Sequence, residues 1–276
     1  MNFDYGINFT KAVASGNDFI ILDAKDNNIG RDDINYSEAA KDLCRRNLSI
    51  GADGILVLEK SDKADYRMRI INPDGSEVDM CGNGARCSAM YAYSRSWGNK
   101  LKFETGAGII EADVKEGSVK LKMSDPKDMV LDVKLKLMNI DASRIDFKFI
   151  NTGVPHVVAI VDDLMMIDVM TVGREIREHE YFAPKGTNVN FVSKSKTHNE
   201  VLVRTYERGV EAETLACGTG SVASGIIMGI KGEASSPVNV MTKSGEILKI
   251  YFEINGDVVS NVYLEGGAKL IYQGRV

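Results

Sequence analysis

A chain of 276 residues, 44% apolar and 26% charged, has the make-up of an ordinary globular protein, with room for one large domain or two of about 130 residues. The 34 basic and 39 acidic residues give a net charge of −5 spread along the chain, which argues against a protein of nucleic acid or an anionic membrane, since either needs a basic face. No apolar run approaches the ~18 residues of a membrane span, MNFDYGINFTK lacks the apolar core of a signal peptide, and four cysteines are too few for a disulfide framework; the expectation is a cytoplasmic protein.

The first helix candidate is Ser37–Asn47, opened by a serine cap and carrying Ala39, Ala40 and Leu43. Asn83–Arg95 follows, with Ala85, Ala89 and Tyr93 on one stripe. Alternation at Val119, Leu121 and Met123, and again at Val133, Leu135 and Leu137, predicts half-buried strands, with Pro126 of SDPKD interrupting between them. Thr171–His179 is a shorter, more polar helix candidate. Thr219–Ile230 is the clearest, with Val222, Ile226 and Ile230 at helical spacing. Leu248, Ile250 and Phe252 mark another strand, and Ala268–Tyr272 the last. Clusters of Gly, Asn and Asp separate the strands. The pattern predicts a strand-rich α+β fold, not an alternating βαβ one.

The chain also reads as written twice. MCGNGARCS (80–88) matches ACGTGSVAS (216–224), with the cysteines 136 residues apart. SGNDFIIL from Ser15 meets TGVPHVVAI from Thr152 at an offset of 137, and GADGILVL from Gly51 meets GTNVNFVS from Gly186 at 135. RIINPDGSEVDMC from Arg69 meets RTYERGVEAETLAC from Arg204, also at 135. Four collinear matches at one offset imply two similar halves about a pseudo-twofold axis. The expected division is residues 1–125 with a returning segment 265–276, and residues 126–264.

Cys81 and Cys217 each stand immediately before a predicted helix. The first-turn amides of Gly82, Asn83 and Gly84, and of Gly218, Thr219 and Gly220, have no intrahelical partner. Such an end attracts a carboxylate and lowers a thiol pKa. Two of these units on opposite faces of one carbon could exchange its proton, one thiolate abstracting and the other thiol returning, which inverts a stereocentre by two-base acid–base chemistry. No cofactor motif accompanies them. Zinc is a poor fit, because the histidines are His156, His179 and His198 and there is no Cys-x-x-Cys. A hydrolytic thiol with His156 as base leaves the second cysteine without a role. Cys44, on the candidate helix Ser37–Asn47, and Cys87, inside its helix with no counterpart in the second half, read as small buried apolar residues.

Asn72 and Glu207 stand nine and ten residues before their cysteines, with Arg208 next, and His156 aligns with Asp18–Phe19. Spacing alone leaves each of these open between a ligand and an ordinary turn or core residue, as it does Asn17 and Asn188.

Taken together and in order, FTKAVASGNDF, IGADG, INPDGSEVDMCGNGARC, TGVPH, GTNVNF and YERGVEAETLACGTG resemble the diaminopimelate epimerase family, over about Phe9 to Ala223. The resemblance implies two similar β-roll domains, each around a central helix, with the active site in the cleft between them. It implies cofactor-independent epimerisation of LL-2,6-diaminopimelate to the meso form, in lysine and peptidoglycan precursor synthesis, by a homodimer. Cys81 and Cys217 would be the acid/base thiols. Asn17, Asn72, Asn188, Glu207 and Arg208 would bind substrate, with Gly82, Asn83, Gly218 and Thr219 at the helix ends; Arg208 suits the distal carboxylate. His156 and Glu207 match positions that tune the thiols. Many members carry asparagine where this chain has Val154 and glutamine where it has Gly54; neither residue here can be a side-chain ligand, and Asn151 or Thr152 stands near enough to substitute for the first. The departures keep open a related two-thiol racemase of proline or hydroxyproline, and, from another class, a non-catalytic dicarboxylate-binding protein.

Overall fold

A computed structural model describes residues 6–27 and 34–276. They fall into two compact units, one running to Leu121 and resuming at Gly266–Val276, the other Lys122–Glu265.

The first unit opens with a hairpin, β1 (Asn8–Ala14) and β2 (Asn17–Asp23), turned by Ser15 and Gly16 at φ 49° and 87°. Helix α1 (Tyr36–Leu43) leads to β3 (Gly54–Glu59), which lies parallel to β2. β4 (Tyr66–Ile71) is antiparallel to β3, and the short β5 (Glu77–Val78) folds back on it. Helix α2 (Gly82–Ser94) follows, then β6 (Lys100–Thr105), parallel to β4, and the antiparallel β7 (Gly108–Lys115) and β8 (Ser118–Lys122).

After β9 (Lys127–Val133) the second unit repeats this order ladder for ladder. β10 (Asp146–Asn151) and β11 (Pro155–Ile160) form the antiparallel pair. Helix α3 (Val169–Glu178) leads to β12 (Asn188–Lys194), parallel to β11. β13 (Glu200–Glu207) and β14 (Ala212–Thr214) precede helix α4 (Gly218–Ile230). β15 (Val238–Met241) is parallel to β13, and β16 (Ile247–Asn255) and β17 (Val258–Gly267) complete the set. The α+β class and the duplication thus stand in the structure.

The strands that cover the open edges are exchanged along the chain. β9, which follows the first repeat, pairs with β10 of the second unit. β18 (Lys269–Arg275), which follows the second repeat, pairs with β1 of the first.

Each unit is built around one 13-residue helix. Asn83–Ala92 of α2 and Gly220–Met228 of α4 are buried without interruption, so no face of either helix reaches water there. Around α4, Val222, Ala223, Ile226 and Ile227 meet Val192, Val203, Val240, Leu248 and Ile250. A strand can approach a buried helix this closely only over small residues: a Cβ at Gly229 would stand 2.4 Å from the Phe252 ring. α1 and α3 cover the other side of the strands. Val172 and Ile176 of α3 pack on Val189, Phe191 and Tyr206, and Ala39, Ala40 and Leu43 of α1 pack with Ile20, Leu22, Ile55 and Val57. This two-sided burial explains why β2 and β3 read as nearly continuous apolar runs, and why β12 is buried from Asn188 to Ser193 although it carries polar side chains there.

The helices start and stop differently from the sequence expectation where capping decides. α1 is capped by Asn35, whose Oδ1 accepts from the Glu38 amide, not by Ser37. It stops at Leu43 because Gly51 and Ala52 return to bond the Leu43 and Cys44 carbonyls. α3 starts at Val169, two residues early, because Asp168 accepts from the amides of Met170 and Thr171.

Candidate functional site

In the first unit the site is the N-terminus of α2. Cys81 is the N-cap, extended at φ −143° and ψ 117°, and its Sγ accepts from the Gly84 amide at 3.5 Å. Gly82 presents open space: a Cβ there would meet nothing within 4 Å. Asn83 is buried, and its amide donates to Asn17 Oδ1 at 2.7 Å. Asn17 in turn donates to Asp53 at 2.9 Å. Arg46 pairs with both Asp53 and Asp18, and Lys11 with Asp18 at 2.8 Å. Burial would raise the Asp18 carboxyl, yet Arg46 and Lys11 hold it below the usual range. Arg86, fully buried on α2, donates to Asn83 Oδ1 at 3.0 Å, to Ser15 and to the Gly267 carbonyl at 3.2 Å. The Asn17–Asn83 pair is therefore held from both ends by charge-assisted bonds. Asn72 lies in the β4–β5 turn, where its side chain donates to Ser76 at 3.0 Å.

In the second unit the site is the N-terminus of α4. Cys217 is again the N-cap, at φ −120° and ψ 114°, and is buried. Its Sγ lies 3.5 Å from the Thr219 hydroxyl. That hydroxyl is 3.0 Å from Nε2 of His156, a fully buried ring on β11. Burial, helped by the Arg208 charge, pushes the His156 pKa down to about 3, so the ring is neutral at pH 7. Thr152 donates to the Thr219 carbonyl at 3.0 Å, fixing the first turn. Asn188, the cross-strand neighbour of His156, donates to the Pro155 carbonyl at 3.0 Å and accepts from the Arg208 amide at 2.9 Å. The Arg208 guanidinium donates to the Lys185 carbonyl at 3.0 Å. Glu207 ends β13, and burial raises its carboxyl pKa against the opposing pull of the Thr214 hydroxyl.

The structure thus gathers Cys81, Gly82, Asn83 and Asn17 in one unit, and Cys217, Gly218, Thr219 and His156 in the other, with Asn188 and Arg208 bonded to each other there. Thr152 is committed to the α4 first turn, and Asn151 donates to Asp128 at 3.4 Å. A Cβ at Gly54 would stand 2.8 Å from the Ile71 carbonyl, so this chain has no room there for a side chain. Cys44 and Cys87 are buried, and burial pushes the Cys44 thiol up to about 11, far from reactivity. Among the described residues no group of three or more His, Cys, Asp or Glu could hold a metal ion, and no helix is long and apolar enough to cross a membrane.

Sequence reasoning missed Asp53 and Arg86 in the first unit and Asn190 in the second. Arg86 was visible within CGNGAR, but an arginine in a helix reads as surface. Asn190 was visible as the second asparagine of GTNVNF, on the same strand face as Asn188.

Compared with known proteins, residues 9–129 and 148–271 match the family model described as diaminopimelate epimerase. The diaminopimelate epimerase of Aquifex aeolicus (strain VF5) is 40% identical over 281 residues, covering 97% of each chain. That of Hydrogenobaculum sp. (strain Y04AAS1) is 44% identical over 276 residues, covering 96% of each. Among solved structures, a Bacillus anthracis phenazine biosynthesis protein of the PhzF family superposes with a TM-score of 0.74 at 17% identity, covering 98% of both chains. A probable proline racemase from Agrobacterium radiobacter K84 gives 0.67 at 14%, covering 98% of this chain and 92% of the other. These two likenesses establish the fold alone.

Proposed function

The chain belongs to the diaminopimelate epimerase family, and on that footing we propose that Cys81 and Cys217 are the two acid/base groups of the reaction. The activity is that of an isomerase of lysine biosynthesis, converting LL-2,6-diaminopimelate to the meso form. One stereocentre must invert while the other is held. A thiolate takes the α-proton, forming S–H as the C–H electron pair passes to carbon and its carboxylate. The other thiol gives its proton to the opposite face and is left as thiolate. The two protonation states are then exchanged, ready for the reverse reaction. No redox change or co-reactant enters the balance, and the reading needs no cofactor.

The observation that carries the proposal is the repeated N-cap. Both cysteines hold extended backbone at the start of 13-residue buried helices, with the following glycines and amides at hand. Those amides suit the charge that builds on the substrate carboxylate as the proton leaves. Asn17, Asn72, Asn188, Glu207 and Arg208 are the proposed binding side chains, with Gly82, Asn83, Gly218 and Thr219 at the helix ends and His156 and Glu207 tuning the thiols. A cytoplasmic homodimer belongs to the same reading; Ile271 and Tyr272 on β18, 55% and 47% exposed, offer apolar area for it.

The test is a cysteine series followed by deuterium incorporation from solvent at the inverted carbon. Cys81→Ala and Cys217→Ala are each expected to lose at least about 10³-fold in epimerisation, while Cys87→Ala, truncated in the core, keeps turnover in its folded fraction. Full turnover in either of the first two would remove the two-base mechanism.

A further inference from the structure

We propose that Asn190 is a positioning residue: it fixes the tautomer of His156 and thereby aims the hydroxyl proton of Thr219 at the Cys217 sulfur. The proposal rests on the reading of Cys217 as an acid/base thiol, and adds a residue to which that reading gives no role.

Asn190 is fully buried on β12, and each of its polar atoms has a defined partner. Its Oδ1 accepts from the Thr205 hydroxyl at 3.0 Å. Its Nδ2 donates to the Val157 carbonyl at 3.0 Å. A carbonyl oxygen can only accept, so the amide cannot be flipped without setting oxygen against oxygen. The second Nδ2 proton then points at Nδ1 of His156, 3.0 Å away. Nδ1 must therefore be the bare, accepting nitrogen, and in a neutral ring the proton sits on Nε2. Nε2–H donates to the Thr219 hydroxyl at 3.0 Å, and Thr219 directs its own proton toward Cys217 Sγ at 3.5 Å. Every bond in the chain Asn190, His156, Thr219, Cys217 runs in one direction and ends as a donor to sulfur. Such a donor favours thiolate over thiol.

The first unit shows what the same scaffold does without this chain. A Cβ on Gly220 would meet Asn190 Oδ1, whereas one on Gly84 would stand 3.0 Å from Leu56 and 3.7 Å from Phe19. Phe19 pairs with Gly54, two residues before Leu56, as His156 pairs with Asn188, two residues before Asn190, so the register, one residue off the sequence match, sets Leu56 and Phe19 in the places of Asn190 and His156. Neither apolar side chain can donate a hydrogen bond. Buried Asn and His in place of Leu and Phe demand full satisfaction to be tolerated, and in the second unit they receive it. The positive charge of Arg208 adds to burial in opposing protonation of the ring.

The experiment is ¹⁵N NMR of histidine-labelled protein, which is tractable because the chain has three histidines, together with the pH dependence of iodoacetamide alkylation of each thiol read by peptide mass spectrometry. The wild-type His156 is expected to show protonated Nε2 and bare Nδ1 at pH 7. Asn190→Leu, which installs the residue of the first unit, is expected to mix the tautomers, to slow Cys217 alkylation about 3- to 10-fold near neutral pH, and to lower kcat with KM held, while Cys81 alkylation stays as in the wild type. Asn190→Asp, which keeps the shape but cannot donate, is expected to move a proton onto Nδ1 and decides the matter if the leucine variant fails to fold. A wild-type ring protonated on Nδ1, unchanged Cys217 alkylation in Asn190→Leu, or equal slowing of both thiols would overturn the proposal. Should Cys217→Ala remain fully active, the two-base reading fails, whereas the tautomer and alkylation results still stand or fall by themselves.

Discussion

Thr219 makes two bonds with one hydroxyl: it accepts from a buried imidazole and donates to a sulfur. Thr219→Val keeps the shape and removes both bonds, leaving His156 Nε2–H buried without an acceptor. It is expected to cost about 1–3 kcal/mol of stability and to slow Cys217 alkylation without affecting Cys81, measured by urea unfolding and mass spectrometry. His156 makes a separate pH prediction. Its pKa falls from 6.5 unfolded to about 3 folded, so between those values the unfolded chain binds a proton the native state refuses. Its contribution is complete above pH 6.5 and is lost as pH falls, by about 2 kcal/mol at pH 5. The raised Glu207 carboxyl acts in the opposite sense above its ordinary value, so the comparison is between wild type and His156→Gln, whose stability curve should be flatter over this window. Glycines make the third residue-scale contrast. Gly220→Ala would drive a methyl to 2.2 Å from Asn190 Oδ1 and should lower the melting temperature, while Gly82→Ala enters open space and should leave it within a few degrees.

At the scale of elements, the sequence was most readable where one physical rule acted alone. The α4 stripe of Val222, Ile226 and Ile230 located its helix to within a residue, and small residues after each cysteine marked both N-termini. Boundaries moved where a cap competed: Asp168 began α3 two residues before the expected Thr171, and Asn35 replaced Ser37. Asp168→Ala should therefore cost about 1 kcal/mol, seen as a lower urea midpoint with an unchanged m-value. The roles of Asn190 and Arg86 were illegible for a different reason. Strand alternation places Asn190 on the α4 side of β12 but does not say which ring it will meet across 34 residues. Burial of Arg86 depends on the Gly267 carbonyl, 181 residues away, which no local pattern encodes.

The whole molecule is two copies of one ladder plan with their ninth strands exchanged. β18 pairs with β1 over six residues, and Val276 and Ile7 bond each other's backbones at its end. Removing Lys269–Val276 should uncover β1 and strip hydrogen-exchange protection from the first unit, leaving the α4 amides protected. A gene cut after the first nine strands would encode a product with a spare ribbon at one end and a gap at the other. Two such products could finish each other by trading tails, and each would then hold the same lining around its sulfur. Tandem fusion ends that sameness, because a single reading frame can store leucine and phenylalanine in one copy and asparagine and histidine in the other.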